Sequence, residues 1–417
     1  MSAKLPRAFG RLWAASAVST VGDGVIFAAA PLLAVGISGD PVMISLVTFA
    51  VMLPWPLCGL FCGALVDRWD RRRTMWIADL ARAVVLGFAV VAGVSGVLGI
   101  PALMVVAFLL GLAQVFFDTA AQAYLPMLLG RDQPSLRRAN SWLRGAQTVG
   151  EGFLGPPVGS ALFALGRMVP FAADAVSFVL SAVLIRTLPP APPADEARSP
   201  LWTAAREGAR YLVRDRLLLG LALRPAVGNL AFAAVSAVMV LYARDALHLS
   251  AAGYGVLLAT EAVGGLLGAI LAGPLERLLG TGGALTATAA IEAAAVLGMG
   301  LAPTALVAGA AYAVCGCGMA ATMVLGPSVR QAIVPERLLG RVVAASRLVA
   351  VSAGPVGALL GGWLAGAAGV RAPYVAGAAV LATMTIVTAS MTSNRKVEAA
   401  LAAASAAGAP VGLSPGR

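Results

Sequence analysis

Gly63-Ala64-Leu65-Val66-Asp67-Arg68-Trp69-Asp70-Arg71-Arg72-Arg73 separates two long apolar stretches. Asp67 to Arg73 puts six charges into seven residues, between runs that are each long enough to cross a bilayer as a helix. So dense a charge cluster between such runs is no solvated surface helix. It reads as a short basic turn at a membrane edge, of the form G-x-x-x-D-R-x-x-R-R, and it sets the topology of everything around it.

The composition agrees. Hydrophobic residues make up 59% of the 417 and charged residues 12%, where a soluble domain carries about 25% charged. The apolar residues form continuous runs rather than alternating ones, which favours helices over a barrel. Twelve spans are expected, at about 12–37, 43–66, 75–98, 101–125, 145–166, 168–188, 217–242, 253–275, 282–301, 304–326, 342–368 and 372–391. Asp23 within the first run and Pro31 after Ala28-Ala29-Ala30 argue against a cleaved signal peptide.

Cations orient the chain. With the N-terminus inside, 25 of the 30 Lys and Arg fall on inner edges and only Arg167, Arg244 and Arg371 on outer ones. The net charge of +11 is therefore a topology signal and calls for no nucleic-acid partner. An even number of spans places both termini in the cytoplasm. Arg outnumbers Lys 28 to 2, in keeping with a GC-rich bacterial genome and hence with the bacterial cytoplasmic (inner) membrane.

Leu188-Pro189-Pro190-Ala191-Pro192-Pro193 interrupts the spans, and Leu201 to Arg216 follows as an amphipathic helix expected to lie on the inner membrane face. The expected organisation is a six-helix half over 1–188, a cytoplasmic linker over 189–216, a second six-helix half over 217–391 and a disordered cytoplasmic tail over 392–417. Faint internal echoes connect the halves. Leu125-Pro126 corresponds to Val334-Pro335, Arg144 to Arg347, and Gly155-Pro156-Pro157-Val158-Gly159 to Gly354-Pro355-Val356-Gly357. Duplicated halves are a transporter architecture, with the substrate path between them.

Twelve spans, a six-plus-six layout and the loop Gly63…Asp67-Arg68-x-x-Arg71-Arg72 resemble the major facilitator superfamily over nearly the whole chain. Leu125-Pro126…Ala139-Asn140-Ser141 and Val334-Pro335-Glu336…Gly340-Arg341-Val342 resemble its branch of macrolide efflux proteins and enterobactin exporters. The resemblance implies an all-α integral membrane fold in two pseudo-symmetric halves, working by alternating access. It implies a conformational gate made of Gly63, Asp67, Arg68, Arg71, Arg72 and Asp118, with Arg71 the partner of Asp118. Asp67 would face the positive N-terminal end of a helix in the opposite half.

Charges inside spans are costly and default to functional candidates. Asp23 sits in Val21-Gly22-Asp23-Gly24, where small neighbours allow a helix or ligand to approach; a carboxylate buried there could exchange a proton. Glu151, Gly155 and Gly159 fall at i, i+4 and i+8, a thin stripe that Pro156 bends and that suits close helix packing. Gly-Pro stripes of this kind mark antiporters of the superfamily. Asp79 and Arg82 can pair at i, i+3. The proton or substrate candidates are Asp23, Glu151, Asp174, Glu261 and Arg82, whereas Glu292 is the weakest of the intramembrane acids.

Cys58, Cys62, Cys315 and Cys317 read as packing residues, and with His248 as the sole histidine no metal site is expected. Neither Lys4 nor Lys396 completes a phosphate loop, and no nucleophile elbow is present, so ATP-driven transport and hydrolysis are disfavoured. The expectation is a cofactor-free monomer in the bilayer that exports a small amphipathic organic molecule against protons. Uptake symport, lysophospholipid transport, and a transport-dead sensor or scaffold are the alternatives.

Overall fold

The computed structural model describes residues 5–130, 133–190 and 201–406, and the described part is helical throughout, without strands. The helices are α1 (Arg7–Ile37), α2 (Pro41–Met52), α3 (Pro54–Arg68), α4 (Arg71–Val94), α5 (Ile100–Leu129), α6 (Gln133–Gln147), α7 (Gly155–Leu165), α8 (Val169–Arg186), α9 (Leu201–Arg214), α10 (Arg216–Leu241), α11 (Ala251–Leu301), α12 (Ala305–Ile333), α13 (Glu336–Ala368), α14 (Ala372–Ala389) and α15 (Asn394–Ala406). Two π-helical segments, Thr148–Leu154 and Tyr242–Ala246, extend α6 and α10. Phe61 and Phe88 at 71% exposure and Ile386 at 76% point outward. Large apolar side chains so displayed suit a hydrocarbon surround, in which backbone polar groups must be satisfied within each helix.

Helix ends follow local chemistry. Asp40 caps α2 by accepting the amide of Val42 at 2.8 Å, with Pro41 at the first helical position, where its missing N–H costs nothing. Pro54 separates α2 from α3. The charged turn is shorter than its sequence suggests. Helix α3 runs through Arg68 and α4 begins at Arg71, leaving Trp69 and Asp70 between them, and Asp70 caps α4 by accepting the amide of Arg73 at 3.0 Å.

Ten helices among the described residues are long and apolar enough to cross a membrane, against the twelve spans expected. One cause is α11, whose 51 residues would extend about 76 Å at about 1.5 Å per residue. It bends at Gly280, with φ 72°, between the expected spans 253–275 and 282–301. The other is the expected span 145–166, which is shared among α6, the first π segment and α7. The bend in α11 is fastened by Asn394 from α15. Its Nδ2 donates to the Leu279 carbonyl at 2.7 Å and its Oδ1 accepts the Gly283 amide at 2.9 Å.

The chain forms two compact units: Met1–Ala197 with Ala237–Ala262, and Arg198–Ser236 with Val263–Arg417. The first is centred on Phe9, Leu12, Met75, Phe117, Tyr124 and Ile185. In the second, Leu217, Leu221, Ala272, Leu285 and Leu325 gather around Val397 of α15. The expected disordered tail thus starts as a docked helix, because Val397 and Asn394 both find partners; residues 407–417 lie outside the described residues.

Part of the expected linker, 191–200, also lies outside the described residues. Helix α9 does form, with Val213 63% exposed and Leu212 turned into protein. Leu212 packs with Leu218 and Ala222 of α10 and with Leu338 and Val342 of α13. Glu207 pairs with Arg341, and a side chain on Gly208 would run into the Arg341 backbone.

Both units repeat one packing device. In the first unit, Gly155 and Gly159 of α7 lie against Gly24 and Val25 of α1; in the second, Gly357 and Gly361 of α13 lie against Leu230 and Ala234 of α10. The Gly-Pro echo between the halves thus corresponds in role, although Gly155 matches Gly357 rather than Gly354.

Candidate functional site

Asp23 lies in α1 where three helical segments meet. A Cβ on Gly24 would sit 2.6 Å from the Glu151 carbonyl oxygen and 2.8 Å from the Glu151 Cα, and a Cβ on Gly22 would run into the Asp174 carboxylate. The two glycines therefore admit neighbouring protein, and they bring Asp174 of α8 and Glu151 of the π segment up to Asp23. Asp174 is buried and accepts from Ser177 Oγ at 2.7 Å.

Arg82 of α4 is the cation of this cluster, at 1% exposure. Its guanidinium donates to Asp79 one turn earlier and to the side-chain oxygen of Gln114 on α5. It stands 3.6 Å from Asp23 Oδ1. The rings of Phe178 and Phe117 flank it, with centroids 4.2 and 4.8 Å away. Asp79 also accepts from Ser181 Oγ at 2.6 Å, and Gln114 passes a hydrogen bond to Asp118 at 3.0 Å. The two acids on Arg82 differ in kind: the Asp79 side chain is 0% exposed, whereas that of Asp23 is 26% exposed.

Glu151 accepts from Gln147 Nε2 at 3.2 Å, and Gln147 accepts from Arg144 at 3.1 Å. The glycine stripe facing α1 includes Gly150, whose added Cβ would lie 2.6 Å from Thr20 Oγ1, together with Gly155 and Gly159. The wider π turn shifts the register by one residue, so Gly150 heads the stripe and the Glu151 side chain is left for Gln147. Pro156 is buried beside it, and its carbonyl would lie 2.7 Å from a Cβ on Gly255 of α11. Glu261 is half-buried on α11, next to Ala262, which meets Gly152 beside Glu151.

In the charged turn, Arg72 Nη1 donates to the Leu188 carbonyl at 2.9 Å and ties the start of α4 to the end of α8, where carbonyls lack intrahelical partners. Arg71 is buried and Arg68 exposed; Arg71 and Asp118 are both engaged side chains. Gly63 has no described atom within 4 Å of the position a Cβ would take. Asp67 is on the last turn of α3, and its side chain lies outside the described residues.

The second unit buries Arg224 of α10. Thr388 accepts from its Nε at 3.0 Å, Thr392 and Thr286 from its Nη2 at 3.0 and 3.2 Å, and the Leu285 carbonyl from Nη1. Among the described residues this guanidinium has no carboxylate partner; hydroxyls and one carbonyl carry its charge. Sequence reasoning identified the ionised groups and missed their amide and hydroxyl partners. Gln114 and Gln147 each stand four residues, about one helical turn, before an acid, and that spacing is the signal that would have found them.

Residues 4–411 match the transmembrane secretion effector family. The chain belongs to that family. It is thus a multi-pass membrane transporter of the major facilitator superfamily and no enzyme. Its relatives include the multidrug efflux pump Tap of Mycolicibacterium fortuitum, 30% identical over 87% of this chain and 90% of that one. The enterobactin exporter EntS of Citrobacter koseri is 30% identical over 51% of this chain and 50% of that one, in keeping with the branch that the sequence resembles. The solved nucleoside transporter NupG shares the fold, with a TM-score of 0.73 at 14% identity over 93% of this chain and 100% of that one.

Proposed function

We propose that this member of the family exports small amphipathic organic molecules from the bacterial cytoplasm across the inner membrane, in exchange for protons. The observation that carries the reading is the asymmetric hold on Arg82. Asp79 is buried, bonded to Arg82 and bonded to Ser181, so it balances the guanidinium permanently. Asp23 touches the same cation at 3.6 Å and keeps part of its side chain accessible. A proton arriving from outside adds to a carboxylate oxygen of Asp23 and cancels its share of the ion pair, while Arg82 stays balanced by Asp79. The proton leaves to the cytoplasm once the transporter has changed state. A ligand can only shift such an equilibrium by binding the two states differently, and a protonated Asp23 does so.

Alternating access between the halves moves cargo one way and the proton the other. Glu151, Asp174 and Glu261 supply the further acidic groups around this path. The turn from Gly63 to Arg72, with Asp118, acts as the latch on the cycle, and Arg71 to Asp118 is its working pair. The relatives named as a multidrug efflux pump and an enterobactin exporter support export and a broad organic cargo. The chain acts as a monomer with both termini in the cytoplasm. Proteoliposomes loaded with a pH-sensitive dye test the reading: added cationic and neutral amphipaths should move protons, and an absence of proton flux with every transported compound would refute antiport.

A further inference from the structure

Glu292 belongs to the second unit and lies outside the cluster around Asp23. A polar seam leads towards it. Arg224 donates to the Leu285 carbonyl, Thr288 Oγ1 donates to the same carbonyl at 3.1 Å, and Thr322 donates to Thr288 Oγ1 at 2.9 Å. Glu292 follows Leu285 by two turns of α11, about 10 Å along the axis. It lines a cavity of about 10 Å³ with Phe232, Val235, Met299, Tyr312 and Leu381. That is space for about one water and too little for an organic cargo.

Glycines of two neighbouring helices stand against Glu292. A Cβ on Gly228 of α10 would come no nearer than 3.6 Å to Glu292 Oε1, and one on Gly318 of α12 would stay 3.5 Å from the Glu292 Cβ. Among the described residues the Glu292 carboxyl has neither a hydrogen-bond nor an ion-pair partner. An acid without a partner contributes no hydrogen bond or ion pair to the fold, and its charged form is costly within the membrane. The groups facing it are Tyr312 and Cys315 from α12 and apolar Leu381 from α14. From α10 come Phe232 and Val235, with the cation Arg224 one turn before Gly228.

We propose that Glu292 is a second proton-binding site, confined to this unit, which exchanges its proton with a single water in the cavity. A carboxylate oxygen takes the proton from hydronium and later returns it; no other bond changes. When Glu292 ionises, Arg224 is the charge in the seam that answers it. When it is neutral, Arg224 rests on its threonine hydroxyls. The inference deepens the reading of proton-coupled export.

The test is an infrared pH titration of the full chain in liposomes, with protons as the only probe. The expected result is a protonated-carboxyl signal that titrates in the wild type and in Asp23→Asn and is lost in Glu292→Gln. Glu292→Asp should keep the signal with a displaced midpoint, and it carries the test alone if the glutamine variant does not fold. A Glu292→Gln titration identical to the wild type, or an unmoved midpoint in Glu292→Asp, would overturn the proposal. Because no cargo is used, a lost Glu292 signal in a protein that moves no protons would count against antiport and leave this site standing.

Discussion

Arg82 bonds directly to Asp79, one turn earlier on α4, yet meets Asp23 across the helix interface only at 3.6 Å. One guanidinium thus serves two carboxylates, and they need not respond alike to substitution. Asp79→Asn removes the bonded charge from a fully buried cation. Breaking a buried pair costs about 3–5 kcal/mol, so this variant should lose thermal stability and yield in detergent. Asp23→Asn should keep both and lose the coupling of transport to protons. Equal thermal unfolding of the two variants would show that the acids share one role.

The close approach at Asp23 sets a second expectation. Gly24→Ala and Gly155→Ala put a methyl against backbone atoms of the opposing segment, at 2.6 and 2.5 Å, where no side chain can yield. Both should prevent assembly of the first unit, read as loss of a monodisperse peak on size exclusion. Gly63→Ala meets no described atom within 4 Å and should fold normally. A transport defect in that variant would place the glycine's requirement in another state of the cycle.

The hydroxyl cage of Arg224 is a third. Thr388→Val leaves a buried guanidinium nitrogen without its acceptor at 3.0 Å. A donor stranded this way costs about 1–3 kcal/mol. Thr388→Ser, which keeps the hydroxyl, should recover most of the loss in a thermal unfolding assay.

Helix α9 gives a fourth. Gly208→Val drives a side chain into the Arg341 backbone and should lift α9 from α13, seen as several-fold faster proteolysis at the preceding linker. Glu207→Gln only weakens an exposed ion pair and should change stability by under about 1 kcal/mol. If both variants are cleaved at the same rate, the glycine contact is not what docks the helix.

These contrasts mark how much the sequence discloses. Transmembrane helices are legible because apolar runs dominate the chain, and the basic turn orients them. Gly22 and Gly24 beside an acid announce close approach, and Asp79 three residues before Arg82 announces a pair. The π segment at Thr148–Leu154 is not legible, since its hydrogen-bond register is set by the fit of Gly150 and Gly155 against α1. Asn394 could not be read as the clip on the Gly280 bend because that contact joins residues 115 apart or nearly so. Gln114 and Gln147 pass unnoticed because an amide carries no charge to draw attention.

The measurement closest to the central claim is proton flux in proteoliposomes containing wild type or Asp23→Asn. It uses a fluorescent lipophilic cation such as ethidium as cargo and an imposed pH gradient. Protons must run down their gradient while cargo runs the other way, so acidifying the side opposite the cargo should accelerate its exit in the wild type. Asp23→Asn should bind the cation but lose that acceleration by at least about tenfold, equivalent to about 1.4 kcal/mol of coupling. An Asp23→Asn protein that still couples cargo to protons at the wild-type rate would contradict the account.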